Sequence, residues 1–301
     1  MADVLVVGSY IADLMSRTPH MPKAGETVLG GPFQMGPGGK GGNQAVAAAR
    51  LGAHVTMVTK VGEDPFGEEA FRNFSREGIN TNWITRDPDE ATGAALIAVD
   101  DEGENMIIVA PGACGKLTAA DVAAADEAFT GADVVLVQLE TAMEAVEAAV
   151  NLAERHGKPL ILNPAPFQEV RDDLLAKAAY ITPNETEARL LTGIDVQDET
   201  TAHLAARKLA ERGVGTVIIT LGRQGCYVFT DGEGTLVPGV KVNAVDTTGA
   251  GDAFNGALAV FLAEGDEVHD ACRKANRAAA LSVTRPGTSP AMAYREELDS
   301  L

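Results

Sequence analysis

Short apolar runs alternate with helix-patterned stretches along most of this chain, and that alternation limits its fold more than any single motif does. Asp3-Val-Leu-Val-Val-Gly8 is a continuous apolar run ending in glycine, the pattern of a strand buried on both faces. Val55–Thr59 reads as a strand, Pro65–Arg76 as a helix, Val134–Leu139 as a strand and Ala142–Glu154 as a helix. Pro159–Leu162 and Ala179–Thr182 follow as strands, Thr186–Leu191 and Thr200–Glu211 as helices, and Val217–Thr220 as a strand. Strands alternating with helices predict an α/β fold, a three-layer sandwich whose central, mostly parallel sheet is covered by helices on both faces.

Two stretches break the rhythm. Residues 9–37 hold Pro19, Pro22, Pro32 and Pro37 among many glycines, so short exposed strands fit better than helices. Ala94–Val99 and Asn105–Val109, joined by Asp-Asp-Glu-Gly-Glu, read as a hairpin. A second hairpin, Cys226–Thr230 with Thr235–Val237, continues the main pattern. The expected organisation is a core of residues 1–8, 38–91 and 111–301, with residues 9–37 and 92–110 pairing into a small β-sheet lid outside it.

With 301 residues, 46% of them hydrophobic, the chain can bury a full core. A net charge of −19 with no block of Lys or Arg argues against nucleic acid and membrane surfaces as partners, yet leaves room for a small phosphate held by backbone amides. The N-terminus lacks a basic region followed by a long apolar run, so the default location is the cytoplasm. Cys114, Cys226 and Cys272 are few and widely spaced, and the histidines show no paired ligand spacing; neither a disulfide framework nor a zinc site is indicated.

Gly38-Gly-Lys-Gly-Gly-Asn43 opens a helix over Gln44–Leu51 that Gly52 closes. Gly36-x-Gly38-x-x-Gly41 matches a dinucleotide fingerprint, but Pro-rich chain separates it from the first strand, and no GxxxxGK[ST] occurs. A second glycine-rich turn, Asp246-Thr-Thr-Gly-Ala-Gly-Asp-Ala-Phe-Asn-Gly-Ala257, runs straight into an apolar helix that Gly265 ends. Gly249, Ala250 and Gly251 expose amides at the positive end of that helix, where a phosphate could approach. Asp252 sits beside them. A carboxylate next to an anion nest suits phosphoryl transfer, in which it takes a proton from the attacking hydroxyl while the amides absorb developing charge. An aspartate merely favoured by the helix dipole is the plain alternative.

Ligands in open parallel sheets collect at the carboxyl ends of the strands. Polar residues follow those ends here: Asp13, Glu140, Asn163, Asn184 with Glu187, and Thr220. Each has a local reading as a turn residue, a first-turn carboxylate or a helix cap, and Asn184 with Glu187 has the spacing of a capping box.

Three stretches, Gly38-Gly-Lys-Gly-Gly-Asn43-Gln44-Ala, Thr182-Pro-Asn-Glu-Thr-Glu187 and Asp246 to Phe254, resemble the signatures of the ribokinase-like (PfkB) carbohydrate kinases. The resemblance covers essentially the whole chain, including Thr284-Arg-Pro-Gly287. It implies that Asp252 is the base, Gly249, Ala250 and Gly251 form an anion hole, and Asn184 and Glu187 organise Mg²⁺ and phosphate through water. By the same resemblance Ile11, Asp13, Gly39, Lys40, Asn43 and Glu140 fall in the sugar site, and Thr220, Gly222, Gly225, Gly251 and Asn276 on the ATP side. Asp246, Thr248, Ser282, Arg285 and Gly287 match a loop that holds a monovalent cation, K⁺, largely through carbonyls. The family also implies a homodimer formed through the lid, with ATP as phosphoryl donor and a primary hydroxyl of a pentose, ribose or 2-deoxyribose, as acceptor. A nucleoside, ketohexose or sugar acid as acceptor, or a non-catalytic sensor, are the alternatives. The chain departs from the ribokinase pattern Gly-Ser-x-Asn-x-Asp at Ile11 in Gly8-Ser-Tyr-Ile-Ala-Asp13. Ile11 can neither donate nor accept, so the preference for a substrate carrying the matching hydroxyl should weaken; deoxyribokinases resemble this apolar pattern.

Overall fold

A computed structural model describes residues 2–300. The first strand, β1 (Asp3–Val7), lies inside a nine-stranded sheet and is followed by an excursion, β2 (Ile11–Arg17) and β3 (Phe33–Gly38). The chain returns through α1 (Lys40–Arg50), β4 (His54–Gly62), α2 (Pro65–Arg76) and β5 (Asn80–Asp87), then leaves again as β6 (Gly93–Val99) and β7 (Asn105–Ala110). Two short helices, α3 (Ala119–Ala124) and α4 (Asp126–Gly131), precede β8 (Val134–Gln138), α5 (Met143–Arg155), β9 (Leu160–Asn163), α6 (Asp172–Leu175) and β10 (Tyr180–Ile181). The last third holds α7 (Glu185–Thr192), α8 (Glu199–Ala210), β11 (Thr216–Thr220), β12 (Gly225–Thr230), β13 (Glu233–Pro238), α9 (Ala250–Ala263) and α10 (Val268–Ser282).

The main sheet runs β13-β12-β11-β10-β9-β8-β1-β4-β5. It is parallel from β5 to β11, and the hairpin β12–β13 adds an antiparallel edge. Strand alternation sorts its side chains between two cores. Val4 and Val6 of β1 pack with Val46 of α1, Phe254 and Leu258 of α9 and Ala275 of α10. Leu5 and Val7 pack on the opposite face with Phe129, Val146, Leu174 and Leu209 from α4, α5, α6 and α8. The three-layer α/β sandwich predicted from the alternation is the observed fold.

Helix α2 has the predicted bounds, with Pro65 at its first position and the Asp64 carboxylate accepting the Gly67 N–H at 2.8 Å. Helix α1 starts four residues before Gln44, because Gly39, with φ 80°, caps it and the glycines that follow are already helical. Strand β5 and helix α10 escape prediction. In β5 only Ile84 is buried amid Asn80, Asn82, Thr85 and Arg86, a polar pattern that an edge strand tolerates. Helix α10 has a regular buried face, Ala271, Cys272, Ala275, Ala278 and Leu281, but it is built mostly of small residues and stands out little in the sequence.

The two excursions form a second sheet, β3-β2-β6-β7, antiparallel except for the parallel pair β2–β6. Among the described residues no helix is long and apolar enough to cross a membrane.

Candidate active site

The carboxyl ends of β9, β10 and β11 open onto a single cleft, closed by the N-termini of α1, α7 and α9. Lys40, Asn163, Thr182, Asn184, Glu187, Thr220, Gly249, Ala250, Gly251 and Asp252 line it together. Residues as far apart in sequence as Lys40 and Asp252 therefore meet at one sheet edge.

Helix α9 begins at Ala250, preceded by Gly249 with φ 76°, and no side chain caps it. The Ala250 N–H donates to the Thr247 carbonyl at 3.3 Å, while the Gly251 N–H has no partner among the described residues and is open to a ligand in the cleft. Asp252 lies in the first turn and is only 6% exposed. Each of its carboxylate oxygens accepts a side-chain amide: Asn43 Nδ2 donates to Oδ2 at 2.9 Å, and Gln44 Nε2 to Oδ1 at 2.9 Å. Neither donor is free to turn away. Asn43 Oδ1 accepts from Ser289 Oγ at 2.7 Å, and Gln44 Oε1 accepts from Gln138 Nε2 at 2.7 Å.

Asp13, on β2, approaches from the small sheet. Its carboxylate lies beside Thr288 Oγ1, which is 3.2 Å from both Asp13 Oδ2 and the Pro37 carbonyl oxygen and shares one proton between them. Burial pushes the Asp13 carboxyl up to about 6, the Thr288 hydroxyl opposes this, and the negative charges of Glu140 and Asp252 add to the rise. A Cβ on Gly38 would stand 2.4 Å from the Asp13 carboxylate oxygens, so only glycine lets β3 pass this close. Glu140 Oε2 accepts the Lys40 N–H at 2.8 Å and the Ser9 hydroxyl, which ties the end of β8 to the start of α1. Burial works against the Lys40 ammonium, but the carboxylates of Asp252, Glu140 and Glu187 outweigh it and hold its pKa above the ordinary lysine value. Ile11 is 2% exposed and packs in a small cluster with Ala95 and Cys114.

On the opposite side Asn184 and Glu187 form the capping box of α7: Asn184 Oδ1 accepts the Glu187 N–H at 2.8 Å, and Glu187 Oε2 accepts the Asn184 N–H at 2.9 Å. The capping reading and the site reading thus coexist in the same residues. Glu187 Oε1 has no hydrogen-bond partner among the described residues and belongs to the cleft lining. Burial raises the Glu187 carboxyl, while the Asn184 N–H and Lys40 pull it down.

Known proteins resemble this chain over nearly its whole length. The pattern of the pfkB family carbohydrate kinases matches residues 1–293. This chain belongs to that family. A ribokinase of Haemophilus influenzae is 42% identical over 97% of this chain and 95% of its own length. A deoxyribokinase of Salmonella typhi is 40% identical over 95% of this chain and 94% of its own. An Arabidopsis thaliana ribokinase, solved with ribose and ATP, superposes with a TM-score of 0.93 at 31% identity, covering 100% of this chain and 98% of the other.

Other positions matched to the carbohydrate kinase family lie outside the cleft lining. Asn276 donates to the carbonyls of Val237 and Pro238 at 3.2 and 3.3 Å and braces the end of β13. Gly225, with φ 104°, starts β12 where a Cβ would meet the Val237 oxygen at 2.1 Å, and Gly222 shapes the turn before it. The loop of the family's cation-holding pattern is drawn together by Asp246, whose carboxylate accepts the N–H groups of Thr248 and Gly287 at 2.9 Å each. Burial opposes ionisation of Asp246, but those N–H groups outweigh it and lower its pKa. Ser282 Oγ donates to the Ala279 carbonyl, and Arg285 pairs with Glu297.

Sequence reasoning missed Gln44, Gln138, Thr288 and Ser289, although each touches Asp252, Asp13 or Asn43 directly or through one residue. Gln138 carried a signal, a lone polar residue closing the buried run Val-Val-Leu-Val-Gln.

Proposed function

We propose that this chain transfers the γ-phosphoryl group of ATP to the primary hydroxyl, O5, of a pentose. The observation that carries this reading is Asp252, fixed by two amide donors in the first turn of α9, beside a helix N-terminus that no side chain caps. Asp252 takes the proton of O5 as that oxygen attacks phosphorus; the new O–P bond forms while the bond to the β-phosphate oxygen breaks and ADP leaves. The amides accept the charge that develops on the transferred group. Lys40, lying among Asp252, Glu140 and Glu187, supplies a positive charge between the sugar and phosphate sides. No phosphoenzyme is required.

The unpartnered Glu187 oxygen and the adjacent glycine amides fit a magnesium–nucleotide, and Asn184 and Glu187 would hold Mg²⁺ through water. Bound there, Mg²⁺ would neutralise phosphate charge. Thr220, paired across to Asn184, belongs with Gly222, Gly225 and Asn276 on the nucleotide side. K⁺ would bind the carbonyls of the loop that Asp246 gathers. ATP as donor fits a cytoplasmic location.

Asp13, Gly39, Lys40, Asn43 and Glu140 form the sugar side, with the small sheet acting as a lid that excludes water once the sugar is bound. Ile11 presents a methyl surface where the ribokinase pattern has an amide, so 2-deoxyribose should serve at least as well as ribose. Measuring kcat/KM for both sugars tests this, and a preference of about a hundredfold for ribose would overturn it. The test of the reaction is ADP release over a panel of sugars. Asp252→Asn should lower kcat by at least about a hundredfold, since a general base contributes on the order of 10² to 10⁴; an undiminished rate would remove Asp252 as the base.

A further inference from the structure

We propose that Gln44, held from behind by Gln138, is the positioning residue that fixes the Asp252 carboxylate for proton transfer. The inference rests on the reading of Asp252 as the base. Gln44 and Gln138 are both fully buried, and neither lines the cleft. The two N–H bonds of Gln44 Nε2 point at Asp252 Oδ1 (2.9 Å) and Asn163 Oδ1 (3.0 Å), so the amide plane is set by two acceptors at once. Asn163 is oriented in turn, because its Nδ2 donates to the Thr182 carbonyl at 3.1 Å.

The polarity of the row runs one way. A carboxylate only accepts, so Gln44 must present its nitrogen to Asp252 and its oxygen to Gln138, and Gln138 must answer with its own nitrogen. That leaves Gln138 Oε1 buried without a partner among the described residues. It lies against Gly8, where a Cβ would stand 2.0 Å from it. Turning the Gln138 amide would bring its oxygen onto the oxygen of Gln44. The fold therefore keeps an unsatisfied buried acceptor, and gives up a side chain at position 8, to hold Gln44 with its N–H toward Asp252. Apolar residues of the same shape would fill this space without an unpaired oxygen, so the benefit of the row lies at its far end, on Asp252.

Asn43 grips the other carboxylate oxygen from the same helix, and Lys40, Glu187, Asp13 and Glu140 are the charged groups around the pair. These remain when Gln44 is replaced, so the carboxylate loses one of its two amide donors, while Asn163 Oδ1 and Gln138 Nε2 lose Gln44 as a partner.

Gln44→Met keeps the volume and removes the donor. We expect kcat to fall about 10- to 100-fold, the effect of misplacing one reacting group, with KM for sugar and ATP within about threefold of wild type. In an Asp252→Asn background the same substitution should change the residual rate less than about twofold, because residues acting as a unit are not additive. Gln138→Met, one step further from the cleft, should reproduce the kcat loss in milder form and serves if Gln44→Met does not fold. A kcat within threefold of wild type in the folded variants, or an equal loss with and without Asp252, overturns the proposal. Wild-type activity of Asp252→Asn alone would instead overturn the base assignment on which it rests.

Discussion

Asp13, proposed above to contact the sugar, carries a cost in stability. Its carboxyl is held near pH 6, against an ordinary value of 3.8, because burial and the nearby Glu140 and Asp252 disfavour its charge. The folded protein binds this proton more tightly than the unfolded chain, so Asp13 opposes folding increasingly as pH rises from about 4 to about 6, and by a constant amount above that. Asp13→Asn should therefore raise the melting temperature at pH 7.5 and lose that advantage near pH 4. A sugar hydroxyl, however, needs the ionised acceptor. For wild type, kcat/KM for the sugar should fall on the acid side near pH 6, and Asp13→Asn should raise KM for the sugar at neutral pH and remove that limb. A variant both destabilised and unchanged in KM would show that Asp13 is a structural turn residue. At this scale the sequence exposes the residues that motifs name, Asp252, Asn43, Glu187 and Asp13, because short spacings bring them beside glycines or caps. Gln44 and Gln138 stay hidden, since their partnership spans 94 positions and depends on how β8 is inserted beside β1.

Helix α9 shows how an element divides stability from function. Gly251 lies within the helix, and a Cβ there meets nothing within 4 Å, so the fold has room for a side chain. Alanine is the better helix former by about 0.5–1 kcal/mol. Gly251→Ala should thus keep or slightly raise the melting temperature, while its methyl group stands where a phosphate would approach and lowers kcat/KM for ATP by at least about tenfold, as expected when an anion is pushed off a preorganised nest. Full activity would place the phosphate elsewhere. Gly249 behaves differently: its φ of 76° lies in the left-handed region, so Gly249→Ala should cost about 1–2 kcal/mol of strain before any effect on chemistry. The melting temperatures of the two variants should diverge accordingly. Elements with strong apolar periodicity or clear caps, such as α2 and the central strands, were readable from the sequence. The edge strand β5 was not, because it sends only Trp83 and Ile84 into the two cores and its polar residues mimic a loop.

The small sheet raises a question that concerns the whole molecule. Its pairing registers align Met35, Leu14, Leu96 and Ile108 side by side across all four strands. Met35 and Leu96 are each 52% exposed and Ile108 67%, and Phe33 and Met106 continue the face at 67% and 59%. A soluble chain seldom leaves so continuous an apolar strip to water, and such strips mark interfaces. The sequence foretold the sheet from proline, glycine and hairpin spacing, but not this face, because alternating patterns do not reveal which side of a two-sided sheet meets the core. Asp13 and Ile11 lie on β2 of the same sheet, so a partner seated on the strip would brace the lid proposed above without touching the chemistry. We propose that the second copy of this chain fills that role, the strips of the two lids packing face to face. Wild type should then sediment as a dimer at micromolar concentration, and Leu96→Glu with Ile108→Glu should give a folded monomer whose main-sheet core is undisturbed. Because the lid would be less firmly held, KM for the sugar should rise about three- to tenfold and ADP release without sugar should increase, as expected when closure no longer excludes water. A wild-type monomer at that concentration, or a double variant that remains dimeric, would assign the strip to another partner or to none.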